Sequence, residues 1–227
     1  MAEWSKMKKW LYIILFTSTL ASCHSFTMPT LPQPTHFNGL LCDGLGTGNL
    51  LFVHGQTGDM DQAITAATGH YTHVAIVECT DSGIFVIEAL PRLGVVRNSF
   101  SDFFLNNIID TINYTRPFDM YYVNAEYDTA KLVALMHQFL GQPYDDYFAH
   151  DNQRLYCSEL VYECFYDNNG NHLFSANPMN FYDTCGNLPQ YWQFHFDSLG
   201  VLPPQGQPGT NPSDMAKSPF LVQFRIE

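Results

Sequence analysis

Apolar positions along this chain recur with two different periods, and each period predicts an element. The run Leu50-Leu51-Phe52-Val53, entered from Asn49 and stopped by Gly55, reads as a short buried strand. Met60, Ala63, Ile64 and Ala67 fall at helical spacing within 59–68, an amphipathic helix that ends before Gly69. Two β-rich runs follow, His73–Cys79 and Ile84–Leu90, separated by the turn-forming Thr80-Asp81-Ser82-Gly83. Over 126–140, Ala130, Val133, Ala134, His137 and Leu140 share one helical face, and Gly141 with Pro143 ends it. A further helix is predicted from about Tyr156 to Tyr166. Pro203, Pro204, Pro208 and Pro212, mixed with Gly and Gln, mark an exposed loop at 203–214, after which Phe220–Phe224 returns as a strand. Helices and strands intermix and two strands adjoin as a hairpin. The fold class is therefore α+β, a mainly antiparallel sheet packed against helices.

The first forty residues follow another pattern. Lys6, Lys8 and Lys9 precede an apolar run, Trp10–Leu20, too short to span a bilayer, and small residues follow it. That order reads as a secretory signal. Leu20-Ala21-Ser22-Cys23 resembles the bacterial lipobox, which implies removal of residues 1–22 and a diacylglycerol on the Cys23 thiol. The competing reading is a plain signal peptide cut nearby, with Cys23 incidental. Pro29, Pro32 and Pro34 among Ser, Thr and Gln suit an extended spacer, so residues 23–38 form a lipidated tether and 39–227 a single domain. The expected location is the exported bacterial cell envelope, lipid-anchored to a membrane.

Composition narrows the classes. The 227 residues are 46% hydrophobic and 15% aromatic, enough for one domain with a substantial core and too apolar for disorder. Ten Lys and Arg against 22 Asp and Glu give a formal charge of −12, which repels phosphate backbones and excludes a nucleic-acid binder. With Cys23 lipidated, Cys42, Cys79, Cys157, Cys164 and Cys185 remain, an odd set that leaves at least one thiol free unless it pairs between chains. Cys157 and Cys164 are separated by about 10 Å along a helix, too far for a disulfide. There is no CxxC and no zinc-type spacing, and the nine histidines are scattered, so no metal or other cofactor is expected.

The candidate chemistry lies in Cys157, His73 and Glu88. A two- or four-residue hairpin loop pairs positions whose numbers sum to 163, which makes His73 and Glu88 diagonal neighbours on one sheet face, about 7–8 Å apart at Cα. A three- or five-residue loop puts them on opposite faces. On the first register the carboxylate can orient the imidazole, as the third member of a catalytic triad does. Cys157 falls at a predicted helix start, where free N–H groups and the positive dipole end favour thiolate. A thiolate beside a histidine is a nucleophile–base pair for acyl transfer. Each residue also has a bland reading. Cys157 is then a small buried hydrophobe, His73 a hydrogen-bonded strand histidine, and Glu88 the partner of Arg92 or Arg97. Tyr156, beside Cys157, is either a catalytic helper or a core aromatic.

Four segments carry a family likeness: Gly48-Asn49-Leu50-Leu51-Phe52, His70-Tyr71-Thr72-His73-Val74-Ala75-Ile76-Val77, Val86-Ile87-Glu88-Ala89 and Tyr156-Cys157-Ser158-Glu159-Leu160-Val161. In this order they resemble the YiiX-type permuted papain-like amidases, relatives of the NlpC-type cell-wall peptidases and of the lecithin:retinol acyltransferase group. The likeness runs from about Gly48 to Tyr166. It implies a permuted papain-like (NlpC-type) fold, with His73 as base, Glu88 as orienting residue and Cys157 as nucleophile. Asn49 stands where the family's opening turn usually carries Asp, and residues 170–220 match no motif. Two readings follow. One is a cysteine hydrolase cleaving an amide or isopeptide bond in a peptidoglycan peptide or a lipid-like substrate, with an acyltransferase as a variant. The other is a non-catalytic envelope lipoprotein binding a lipid or peptide in the same groove.

Overall fold

The computed structural model describes residues 44–55, 58–107, 117–150 and 152–225. The predicted signal segment, Cys23, the tether and Cys42 lie outside the described residues. Within the unit His36–Glu227, six strands form one antiparallel sheet: β1 (Leu50–His54), β2 (Tyr71–Thr80), β3 (Gly83–Leu90), β4 (Gly94–Ser99), β5 (Phe118–Val123) and β8 (Leu221–Phe224). Their spatial order is β4-β3-β2-β1-β5-β8. A two-stranded ribbon pairs β6 (Asn177–Pro178) with β7 (Pro208–Gly209).

The central strands read as near-continuous apolar runs because both of their faces are covered. Leu50, Phe52, Val74, Ile76 and Ile87 join one core with Leu132, Leu160, Val161, Trp192 and Phe196. The alternate residues Leu51, Val53, Ala75, Val77 and Val86 join a second core with Phe103 and Met120. The first core is roofed by α1 (Asp59–Thr68), α3 (Thr129–Phe139), α4 (Cys157–Cys164), α5 (Gln190–Leu199) and α6 (Pro212–Met215), and the second by α2 (Phe100–Asn107).

The entry into β1 depends on a close approach. Gly48 has φ +90°, and a Cβ there would come within 2.5 Å of the Tyr127 hydroxyl oxygen. Asn49 closes the preceding turn, its Oδ1 accepting from Gly46 N at 2.7 Å. The β2–β3 turn is the two-residue one: Ile76 faces Ile87 and Thr80 faces Gly83, each pair summing to 163. Helix α3 starts later than its periodicity suggests, because the Asp128 carboxylate caps it by accepting from Lys131 N at 2.9 Å. Helix α4 stops at Cys164, where Phe165 turns extended.

The 203–214 segment departs from a simple exposed loop. Residues 205–208 are exposed, but Gly209, Thr210, Pro212 and Ser213 are buried and lead into α6. Their polar groups are occupied by β2 and by the start of α4, as described next.

Candidate active site

Helix α4 packs against β2 and β3, which brings its first residue, Cys157, beside His73. The His73 imidazole lies within electrostatic reach of the Cys157 side chain and is hydrogen-bonded through Nε2 to Glu88 Oε2 at 2.8 Å. A carboxylate only accepts, so Nε2 carries the proton donated to Glu88 and Nδ1 is the ring atom left for the thiol. The other carboxylate oxygen of Glu88 is also occupied: Asn98 Nδ2 donates to Oε1 at 2.8 Å. Glu88 is thus buried with a donor on each oxygen, as a buried charge requires. Arg97, one of its possible partners by sequence, instead donates to Glu78 at 2.6 Å and lies over the Phe85 ring.

Burial pulls the His73 imidazole down. The interactions with Cys157 and then Glu88 outweigh that burial and push it up to about 10. The arrangement favours the imidazolium form of His73. At the helix end, Cys157 is the first helical residue after Tyr156, and no side chain caps the α4 N-terminus. The amide of Cys157 is among the first-turn N–H groups that a helix leaves without an internal partner.

Tyr156 is buried, and its hydroxyl oxygen accepts from Thr210 N at 2.9 Å and Thr210 Oγ1 at 3.3 Å. Thr210 Oγ1 also reaches Ser158 Oγ at 3.0 Å. The ring of Tyr156 packs on Phe148 at 5.3 Å. Sequence reasoning thus singled out four residues, of which Cys157, His73 and Glu88 come together while the Tyr156 hydroxyl is bound to Thr210. It missed Asn98, Thr210 and Tyr144. Tyr144 is bridged to Leu155 just ahead of Cys157. Burial, and next the Cys157 charge, raise its hydroxyl well above the ordinary tyrosine range. Tyr191 lines a cavity of about 510 Å³ between α1 and α5, together with Asp59, Gln62 and Phe194.

Metal-type donors converge in one group among the described residues: His54, His70 and Asp119. Among the described residues Cys157, Cys164 and Cys185 are free thiols, and Cys164 is pushed far up by burial.

Comparison with known proteins bears on this geometry. A family model described as "permuted papain-like amidase enzyme, YaeF/YiiX, C92 family" matches residues 44–223. The match therefore extends through the C-terminal third, beyond the Tyr166 limit drawn from sequence motifs. The crystal structure of metalloprotein yiiX from Escherichia coli O157:H7 superposes with a TM-score of 0.62 at 20% identity, covering 80% of this chain and 97% of that one. At that identity the likeness speaks to the fold. No curated protein matches the chain.

Proposed function

We propose that this chain, which belongs to the YaeF/YiiX family of permuted papain-like amidases, is a cysteine hydrolase that uses Cys157, His73 and Glu88 on an amide or isopeptide bond. The observation that carries the reading is the arrangement in which Asn98 holds Glu88, Glu88 holds His73 Nε2, and Cys157 lies within electrostatic reach of the His73 ring. In this mechanism the Cys157 sulfur attacks the carbonyl carbon. His73 protonates the departing amine and then takes a proton from the water that releases the acyl group. Glu88 keeps the ring in the tautomer and orientation that both transfers need. The Cys157 backbone N–H faces the developing oxyanion. Tyr156, whose hydroxyl is committed to Thr210, positions the start of α4.

The substrate class we propose is a cell-wall peptide or a lipid-like amide. It is supported by the export signal and lipobox-like Leu20–Cys23 segment, which would tether the enzyme to an envelope membrane through Cys23.

The test measures alkylation of Cys157 against pH by peptide mass spectrometry in wild type and His73→Ala. This is paired with hydrolysis of cell-wall peptides and acyl amides by wild type and Cys157→Ser. Expected are a Cys157 that reacts well below the pH of ordinary thiols, loss of that advantage in His73→Ala, and turnover abolished in Cys157→Ser. A Cys157 that titrates near 8.5 without dependence on His73 would overturn the pair and favour a binding lipoprotein.

A further inference from the structure

Beside the strand end that carries His73, the ends of three adjacent strands bring together side chains that the site above does not use. His54 ends β1, His70 immediately precedes β2, and Asp119 lies on β5 opposite Phe52, diagonal to His54. One ligand-type atom from each lies within 4.8 Å of the other two. His54 Nε2 is 3.1 Å from Asp119 Oδ2. Two ligands on one tetrahedral ion at 2.0–2.1 Å stand about 3.3 Å apart, so this pair already has the required separation. His70 is exposed, and its ring packs on Tyr71 at 4.0 Å and against the edge of His54 at 5.6 Å. Among the described residues no hydrogen bond holds that ring, so a small rotation completes the set.

A second shell surrounds the carboxylate. Tyr71 Oη donates to Asp119 Oδ2 at 2.6 Å and shares a further bond with Tyr121 Oη at 3.1 Å. Burial opposes ionisation of Asp119, but the bonds from Tyr71 and then His54 hold its carboxyl below the usual range. Ligating carboxylates are oriented by outer hydrogen bonds in this manner. His54 and His70 also line a cavity of about 460 Å³ with Gly55, Gln62, Thr65 and Ala66, which leaves room for water to complete the coordination. The net charge of −12 favours a cation.

We propose that His54, His70 and Asp119 form a binding site for a divalent transition-metal ion, Zn²⁺ in the first place, distinct from Cys157. Two imidazoles and one carboxylate, with a position open to solvent, are a donor set used by zinc and by non-haem iron. The ligands are too far apart along the chain to show as a spacing motif, because three strands assemble them.

The experiment titrates the full chain, stripped of metal, with Zn²⁺ and with Co²⁺ as a visible-light reporter, and follows thermal melting alongside. The expected result is one equivalent bound, a cobalt d–d spectrum without a thiolate charge-transfer band, and a rise in Tm on metal addition. His54→Ala and His70→Gln should each weaken binding at least tenfold and abolish the Tm rise, and Asp119→Asn should act likewise. Tyr71→Phe should weaken binding roughly 10–100-fold, the range of outer-shell changes. His70 is exposed, so His70→Gln leaves the fold intact and tests the site by itself. Cys157→Ser should leave binding unchanged. Binding that survives His70→Gln and His54→Ala, binding lost in Cys157→Ser, a thiolate–cobalt band, or no binding in wild type would each overturn the proposal.

Discussion

Exchanging Glu88 for glutamine probes the Asn98–Glu88–His73 arrangement at its middle. The two residues have the same shape, and the site can accept the change without a donor facing a donor. The glutamine oxygen takes the His73 Nε2 proton, and Asn98 turns its amide to offer Oδ1 to the new NH₂ group. What disappears is the negative charge 2.8 Å from the imidazole. An opposite charge at that range shifts a pKa by roughly one to three units. At about 1.4 kcal/mol per unit, Glu88→Gln removes about 1.4–4 kcal/mol of imidazolium stabilisation. The His73 side chain is only 16% exposed, so solvent screens little of this.

The direction with pH follows from the sign of the shift. His73 is raised from 6.5 to about 10 in the folded protein. Its contribution to stability is therefore fully present below pH 6.5 and is lost as pH rises through about 10. Wild type should lose stability across that window. Glu88→Gln should start less stable at neutral pH and lose its remaining His73 contribution at a lower pH. The assay is an NMR titration of the His73 Cε1–H resonance, assigned by its disappearance in His73→Ala, with thermal melts from pH 6 to pH 10. An unchanged His73 midpoint in Glu88→Gln, or a wild-type stability flat across the window, would refute the reasoning. Cys157→Ser should lower the midpoint as well, since the thiol contributes more than Glu88 does to the upward shift.

Three further substitutions have outcomes set by local geometry. Tyr156→Phe removes the acceptor for Thr210 N and Oγ1 and should lower stability in thermal melts by about 1–3 kcal/mol, with Cys157 alkylation within twofold of wild type. A tenfold slower alkylation at unchanged stability would instead put the hydroxyl in the chemistry. Gly48→Ala forces φ +90° on a side chain and drives a Cβ toward Tyr127 Oη and Leu132 Cδ2; denaturant unfolding should show a loss of about 1–3 kcal/mol. Thr72→Val replaces a buried hydroxyl that has no hydrogen-bond partner among the described residues, so the same unfolding measurement should show unchanged stability or a gain of about 1 kcal/mol.

Legibility in the sequence followed the range of the interactions involved. The His73–Glu88 bond was readable because a two-residue turn fixes the β2–β3 register locally, and the helix start at Cys157 because its apolar residues keep helical spacing. Asn98 was not readable. Strand β4 carries only Val95 and Val96 as apolar residues, and it reaches its register with β3 through a turn in which Arg92 takes φ +69°. Helix α5 was hidden by Tyr191, Trp192, Phe194 and Phe196, whose near-alternation mimics a strand as well as a helix. The metal-type group was hidden because 54, 70 and 119 have no spacing rule until β2, β1 and β5 pair.

The family match runs on to residue 223, and the C-terminal third makes contacts with both elements of the candidate site. The β1–β2 ladder slips between Val53 and His54: Val53 faces His73, but His54 faces Tyr71, which leaves Thr72 as the extra residue of a bulge. A bulge takes backbone groups out of the ladder, and here Ser213 Oγ meets them, accepting from Tyr71 N at 3.1 Å and donating to Tyr71 O at 3.2 Å. Three residues earlier, Thr210 holds Tyr156 and Ser158 on either side of Cys157. One four-residue stretch, 210–213, therefore ties down both the strand that carries His73 and the helix start that carries Cys157. If Cys157 and His73 act as the proposed nucleophile and base, a displacement of about an ångström would cost rate steeply. These two come from elements 84 residues apart in sequence, so a segment bonded to both is what fixes their separation. The segment that matched no motif thus acts as the clamp on the proposed pair.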